Sequence, residues 1–322
     1  MEHEANPSHA RTTRLIASVD DREFVFEAEG ADLLRSLNTL LQKHDPDVIV
    51  SRYGDSYIFP RLRRLADMCG IPLALSRDGA AVITSKQARS FFTYGRIVYQ
   101  AGAQILHGRW HLDVASSFVV KETGLDGLME LARVTKLPVQ SCARTSPGTG
   151  VSSMQLDVAF QDGYLIPWRK RMPEDFKTGS ELLLTDKGGL VFQPRIGLYD
   201  QVCELDFSSM FPSIMVKYNI SQETVGCACC PENRVPEIGY HICTKRRGLV
   251  PRTLEPVLER RRVYKRLMRQ AVTADERELY NKRQSALKWL GLVSFGYQGY
   301  RNARFGRLEG HETVTAYARE TL

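Results

Sequence analysis

The chain has 322 residues, more than one average domain, so two or three domains are expected. Its hydrophobic content of 43% and mean hydropathy of -0.28 are those of a globular protein, with no apolar run near the roughly 20 residues of a membrane span and no charged-then-apolar leader, so a cytoplasmic location and no membrane partner are expected. A formal charge of +7 and a pI near 9.0 favour an anionic partner. Part of that excess is local: Lys and Arg crowd residues 245–269 against only Glu255 and Glu259. Phosphate contact is the functional reading of such a run, although a solvated basic helix face has the same composition.

In chain order, Leu15–Val19 and Phe24–Phe26 read as a hairpin across Asp20-Asp21. Leu33–Lys43 has helical spacing, and Asp45-Pro46-Asp47 leads into a β-branched strand at Val48–Val50. Pro60–Cys69 reads as a basic amphipathic helix, and the alternation over residues 1–135 predicts an α/β domain. Thr145 to Gly150 is turn chemistry and a plausible domain edge, and Gly179 to Tyr199 reads as a second loop-rich link. From Arg252 to about Leu287 an antiparallel helical pair is expected, bent near Val272–Asp275, where Thr273 or Asp275 can cap the second helix.

Seven cysteines fit a reduced chain. Cys69, Cys142 and Cys203 are scattered and expected to be buried as small hydrophobes. Cys227-x2-Cys230 followed by His241-x-Cys243 can supply four Zn2+ ligands, although His-x-Cys is tighter than the usual second pair.

The run from Glu204 to Met215 carries the sharpest signal. An apolar strand is expected to deliver Asp206, and two small hydroxyl residues and an aromatic then turn into Pro212-Ser213-Ile214, which can open a helix. A strand-end carboxylate followed by free backbone N–H groups can hold a divalent cation and cradle a phosphate. Further on, Arg261 and Lys265 are four apart on one helix face, and Lys288 stands on the partner helix before Val293-Ser294-Phe295-Gly296-Tyr297. Three cations opposite a carboxylate turn make a grip for a triphosphate.

Asp206-Phe207-Ser208-Ser209-Met210-Phe211-Pro212-Ser213-Ile214 closely resembles the first catalytic motif of family B DNA polymerases, Asp-x-x-Ser-Leu-Tyr-Pro-Ser-Ile. The lead-in Gly188–Phe192 with Pro194 and Gly197-Leu198-Tyr199, and the tail from Phe295 to Ala316, are similar to that family as well. The resemblance implies a template-directed DNA polymerase that joins dNTPs to a primer 3′-hydroxyl on primer–template DNA by a two-metal Mg2+ mechanism. It implies that Asp206 and the Phe207 carbonyl bind metal and that the Ser209 and Met210 N–H groups hold phosphate. Phe211 then takes the place of the tyrosine under the deoxyribose, and Arg261, Lys265 and Lys288 clamp the nucleotide above a stacking ring at Phe295.

Departures qualify this expectation. The family's Lys-x-x-x-Asn-Ser-x-Tyr-Gly is reduced here to Lys288 with Phe295 and Gly296. The family's Tyr-x-Asp-Thr-Asp hairpin, with its second carboxylate, and the thumb are absent from these residues. The polymerase is therefore expected to be incomplete, needing a second polypeptide with those parts, unless the reading frame is cut. The alternative is a non-catalytic DNA- or nucleotide-binding module derived from a polymerase; on either reading the expected location is cytoplasmic and associated with the nucleoid.

Residues 45–62 resemble the second segment of the family's proofreading exonuclease, in decayed form. Ile58 stands where the metal-binding Asp belongs, and Asp55, three residues earlier, is expected to cap the next helix. Glu2-His3-Glu4 resembles a remnant of the first segment, and the expected Tyr-x-x-x-Asp is missing between Asp113 and Gly150. His107, His111 and Asp113 are expected to be structural. The fold class implied is α/β: a degenerate ribonuclease H-like 3′–5′ exonuclease domain (1–145), a linker and N-terminal palm (146–250), an antiparallel two-helix fingers domain (251–300) and a return to the palm (301–322).

Overall fold

A computed structural model describes residues 14–27, 29–78, 83–93, 96–100, 102–170, 173–188 and 193–322. Glu2-His3-Glu4 and Gly189–Phe192 of the lead-in lie outside the described residues. The chain divides into two compact units. One comprises residues up to Gly124 plus Pro138–Thr145; the other comprises Leu125–Leu137 and Ser146–Leu322.

In the first unit, β1 (Leu15–Val19) and β2 (Arg22–Phe26) pair antiparallel. Asp20 and Asp21 both take positive φ (48° and 61°), the two-residue turn whose twist matches its strands. Helix α1 (Gly30–His44) and, after β3 (Val48–Ser51) and a π-helical turn at Gly54–Ile58, helix α2 (Phe59–Cys69) supply the core. Leu34, Leu37 and Leu41 of α1 pack with Phe59, Leu62 and Ala66 of α2 and with Leu75 and Leu106. Each fully buried aliphatic side chain of this kind contributes about 2 kcal/mol. The antiparallel strands β4 (Ile83–Lys86), β5 (Arg89–Thr93), β6 (Arg96–Gln100) and β7 (Ala103–Ile105) pair as β4 with β7 and β5 with β6. β8 (Trp110–Asp113) pairs parallel to β3, with Ser51 opposite Asp113.

Helix α3 (Phe118–Thr135) is broken at Gly124, whose φ of 62° and ψ of −165° only glycine adopts easily, and its two halves belong to different units. The short α4 (Val139–Cys142) returns to the first unit. Thr145–Gly150 is a helix start as well as an edge. Ser146 caps α5 (Pro147–Gln161) by accepting the Thr149 N–H, and Pro147 occupies the first turn, where a missing N–H costs nothing.

The second unit continues through α6 (Gly179–Thr185), which lies inside the expected link and has a Thr178–Glu181 capping box. It then builds on α7 (Met210–Lys217), α8 (Leu249–Gln270), α9 (Ala274–Gln298) and α10 (Leu308–Thr321). Its core joins Ile214 and Met215 of α7, Leu249, Val250 and Leu254 of α8 and Val314, Ala316 and Tyr317 of α10 to Ile220, Val225, Val235 and Ile242 of the α7–α8 connector. The helical pair is longer than the sequence suggests. α8 starts three residues before Arg252 and runs through Pro256, and α9 continues past Leu287 because its last turns bury Leu290, Gly291, Ser294 and Gln298. Thr273 caps α9 in a box with Glu276.

Two features of this fold have measurable consequences. His111 is fully buried, accepting from the Ser51 hydroxyl at Nε2 (2.7 Å) and donating from Nδ1 to the Gln104 carbonyl (2.8 Å) when neutral. Burial lowers its pKa to about 4 despite the neighbouring Asp55 charge. The folded state therefore resists protonation that the unfolded chain accepts below about pH 6.5. Stability present above that pH should fall by about 2 kcal/mol between pH 7 and pH 5. Urea unfolding of the first unit's signal across that range checks this, and His111→Gln should flatten the pH slope.

Lys177 is enclosed by Glu309 (3.1 Å) and Glu312 (3.0 Å), both almost wholly buried, with the Tyr240 hydroxyl and Thr185 also on Glu312. Burial opposes its charge, but the bonds to Glu312 and Glu309 outweigh burial and raise its pKa. Lys177→Met leaves Glu309 with Arg307 but leaves the buried Glu312 with no cation, and should destabilise the second unit by about 3 kcal/mol, read from the denaturation midpoint.

Candidate functional site

α7 begins at a left-handed residue: Ser209 has φ 56° and ψ 44°, and its carbonyl accepts the Ser213 N–H. That sharp entry presents the hydroxyls of Ser208 and Ser209 side by side. Arg261 donates to Ser209 Oγ, and Lys265 Nζ donates to Ser208 Oγ at 3.2 Å. The (i, i+4) spacing of the two cations on α8 thus meets two consecutive hydroxyls on the turn.

The electrostatics follow from this crowding. The Lys265 ammonium is lowered from its ordinary value by burial first, then by the charges of Arg261, Arg269 and Lys288; Asp206 acts in the opposite direction. Asp206, Arg261 and Lys288 therefore all lie close enough to Lys265 to act on its charge. Burial also lowers the Arg261 guanidinium, and its Nε is buried with no hydrogen-bond partner among the described residues. A buried donor of this kind is expected to meet an acceptor when the site is filled.

The aromatic positions also converge. The Phe211 ring lies 4.3 Å from Phe295, and Phe295 stacks on His311 at 4.2 Å and 19°. Close helix contact allows this: a Cβ on Gly291 of α9 would sit 3.4 Å from the Pro212 ring.

One carboxylate that the sequence reading missed aims α8. Glu130, on the second half of α3, is buried and accepts Arg260 Nε at 2.7 Å, the Tyr264 hydroxyl at 2.8 Å and Arg133 at 3.2 Å. Arg260 and Tyr264 directly precede Arg261 and Lys265. Fixing one pair on Glu130 therefore turns the other toward Ser208 and Ser209. The two pairs, Arg260 with Tyr264 and Arg261 with Lys265, each have helical i, i+4 spacing, which is the only trace of this in the sequence.

Several expectations are corrected. The residues before Asp206 form no strand: Gln201–Ser208 are exposed, with Leu205 at 90% exposure. A strand needs a neighbour for its backbone N–H and C=O groups, and among the described residues none pairs with this run. Phe207 is likewise exposed. Cys203 is exposed, Cys69 half-buried and only Cys142 buried among the three scattered thiols. In the cysteine cluster the grouped sulfurs are those of Cys227, Cys229, Cys230 and Cys243, all within 4.8 Å of one another, and His241 is not among them. His241 instead bridges backbone-to-backbone with Arg234, which fixes it in the loop's ladder.

Asp55 does not cap a helix. Its buried carboxylate takes a two-pronged ion pair from Arg144 (2.8 and 3.0 Å) and accepts the Gln104 N–H (2.7 Å) and the Ser116 hydroxyl (3.1 Å). Asp113 is spent on the N–H groups of Tyr53, Asp55 and Ala115, and burial followed by the Asp55 charge raises its pKa despite those bonds. No helix among the described residues is long and apolar enough to cross a membrane.

Residues 138–322 match the model of DNA polymerase family B. The chain is 37% identical to DNA polymerase 2 of Saccharolobus solfataricus over 61% of its own length and 29% of that protein's. It is 27% identical to DNA polymerase 1 of Pyrococcus abyssi, covering 90% of this chain and 43% of that one. Among solved structures, the family B DNA polymerase of Pyrobaculum calidifontis aligns with a TM-score of 0.70 and 26% identity over 94% of this chain and 46% of its own. The chain thus spans less than half the length of these relatives. The matched stretch contains the Ser209 turn, both helices that carry its cations and the stacked Phe211–Phe295 pair, and the α/β fold of the chain as a whole resembles that of the solved polymerase: the chain belongs to DNA polymerase family B.

Proposed function

We propose that this chain supplies the nucleotide-holding half of a template-directed DNA polymerase active site, with primer–template DNA and dNTPs as its substrates. The observation that carries the reading is the meeting of Asp206, Ser208 and Ser209 with Arg261, Lys265 and Lys288. A triphosphate entering there displaces the two serine hydroxyls from the cations. It satisfies the idle Arg261 Nε and receives the forked guanidinium, a point charge from Lys265 and the first-turn N–H groups of α7. Phe211, backed by Phe295 and His311, gives the sugar a flat wall with no hydroxyl to offer.

Hard oxygen donors, the Asp206 carboxylate and the Phe207 carbonyl, suit Mg2+. When bound, that ion supplies charge neutralisation on the triphosphate and a lowered pKa at the primer hydroxyl. Among the described residues no set of three or more acidic, His or Cys ligands gathers around Asp206. On this reading the second carboxylate comes from a segment bearing Tyr-x-Asp-Thr-Asp and a thumb, whether on the same polypeptide or on a second one. The α8–α9 pair takes the role of the fingers, and residues 146–250 and 301–322 that of the palm.

The direct test is primer extension with Mg2+ and dNTPs, by this chain alone and with that segment added. Extension should appear only with the addition, and Asp206→Ala should lower it on the order of a thousandfold. Arg261→Ala should weaken dNTP binding by about 10- to 100-fold, the worth of a charge-assisted hydrogen bond of roughly 1.5–3 kcal/mol. The lone carboxylate also favours a second reading, a non-catalytic DNA- or nucleotide-binding module. Primer–template binding unaffected by Asp206→Ala, with no extension under any pairing, would establish it.

We further propose that the first unit is a ribonuclease H-like exonuclease scaffold without catalysis. Arg144 supplies to Asp55 the positive charge that a metal would bring, and Asp113 is committed to backbone N–H groups. Single-stranded DNA should survive incubation with the protein and Mg2+. Degradation that disappears in Asp113→Asn would refute this reading.

A further inference from the structure

The connector from Tyr218 to Gly248 is irregular, with only isolated bridges at Val225–Ile242 and Arg234–His241. Ordered segments of that length without regular elements are uncommon in compact domains and need something to fix them. This one does work at its far end. Asn219 Oδ1 accepts the Gly248 N–H (2.8 Å), Glu223 accepts the Leu249 N–H (2.6 Å) and Ser221 accepts the Val250 N–H (3.1 Å). The connector therefore caps α8 in trans, satisfying first-turn donors that Gly248 has no side chain to satisfy.

The four sulfurs lie at the fold of this connector. Cys229 Sγ is 3.7 Å from Cys230 Sγ and 3.7 Å from Cys243 Sγ. Those separations are far beyond a disulfide bond and approach the edge of a tetrahedron, about 3.8 Å, drawn around an ion with 2.3 Å bonds to sulfur. All four sulfurs, Cys227 included, lie within 4.8 Å of one another, as the ligands of a single ion do. The Thr244 N–H lies 3.4 Å from Cys230 Sγ, and the N–H groups of Lys245 and Arg246 face Cys243. Backbone donors aimed at the sulfurs are the outer shell that thiolate metal sites use.

We propose that Cys227, Cys229, Cys230 and Cys243 bind one structural zinc ion, with His241 taking no part. Binding sends the thiol protons to solvent and closes the coordination shell, leaving no open position for catalysis. The ion joins the two ends of the connector, one leading from α7 and its Ser209 turn, the other into α8 with Arg261 and Lys265. Its task is to hold the α8 cap, independently of whether the Asp206 region catalyses nucleotide transfer.

The test uses the intact chain purified under reducing conditions. Metal analysis should find about one zinc per chain, and replacement by Co2+ should give the visible absorption of a tetrahedral tetrathiolate site. Cys229→Ser should weaken metal affinity at least about tenfold, the lower end of what losing even an outer-shell partner costs, while His241→Asn should retain the native affinity and spectrum. Chelation should lower the thermal midpoint of the native chain, and should do so at a lower chelator concentration in Cys229→Ser. Because the Co2+ spectrum is read on the native chain, a variant that misfolds leaves the test intact. A metal-free protein that gives no tetrathiolate spectrum with Co2+, a mass lowered by disulfide formation in the reduced preparation, or loss of the metal in His241→Asn would each overturn the proposal.

Discussion

The Glu130 carboxylate lies out of contact with solvent, and the geometry of the second unit follows from how its hydrogen bonding is satisfied. Three donors converge on it, two of them from consecutive turns of α8. A buried carboxylate with all its acceptors engaged is costly to disturb, because removing one donor leaves desolvated charge behind. α8 is thereby fixed in rotation about its own axis. Arg260 and Tyr264 face Glu130, and Arg261 and Lys265, one residue or about 100° further round, face the turn at the start of α7. The Tyr264 ring also stacks on Tyr280 and lies under Arg283, which carries the same constraint to α9.

Both ends of this arrangement are capped by distant side chains. The N-terminus of α8 takes its acceptors from Asn219, Ser221 and Glu223, and the lead-in to α6 is tied down by Lys177 between Glu309 and Glu312. In each case a segment far along the chain completes the hydrogen bonding, of backbone N–H groups at α8 and of the buried Glu309 and Glu312 carboxylates around Lys177. The result is a basic face, with Arg261 and Lys265 partly buried and Lys288 nearby, beside a solvent-exposed segment around Asp206. That asymmetry suits a site whose cationic side is prebuilt, as the proposed nucleotide-holding role requires.

The first unit shows the opposite use of buried charge. Asp55, Asp113, His111 and Arg144 satisfy one another and the nearby backbone so completely that little remains for a ligand. The same residue types that make a metal site when left half-paired make a rigid core when a guanidinium closes the set.

Much of this was legible in the sequence. The Asp20-Asp21 hairpin, α1, α2 and the Thr273 cap depend on local periodicity and turn chemistry, which neighbouring residues determine. The motif from Asp206 to Ile214 and the spacing of Arg261, Lys265 and Lys288 named the family and the basic cluster, because a long ordered pattern is a one-dimensional property. The sequence could not show that Glu130 aims α8, that Arg144 neutralises Asp55, or that Cys229 and not His241 joins the sulfur cluster. Each depends on residues tens of positions apart meeting in space, and the hydrogen bonding of a buried charge is decided by whatever packs against it. Nor did an apolar run guarantee a strand before Asp206, since a strand exists only with a partner to complete its hydrogen bonds. The sequence alone therefore determined the family and the local elements; only the tertiary structure decided which charges are bound, which remain free, and where the sulfurs meet.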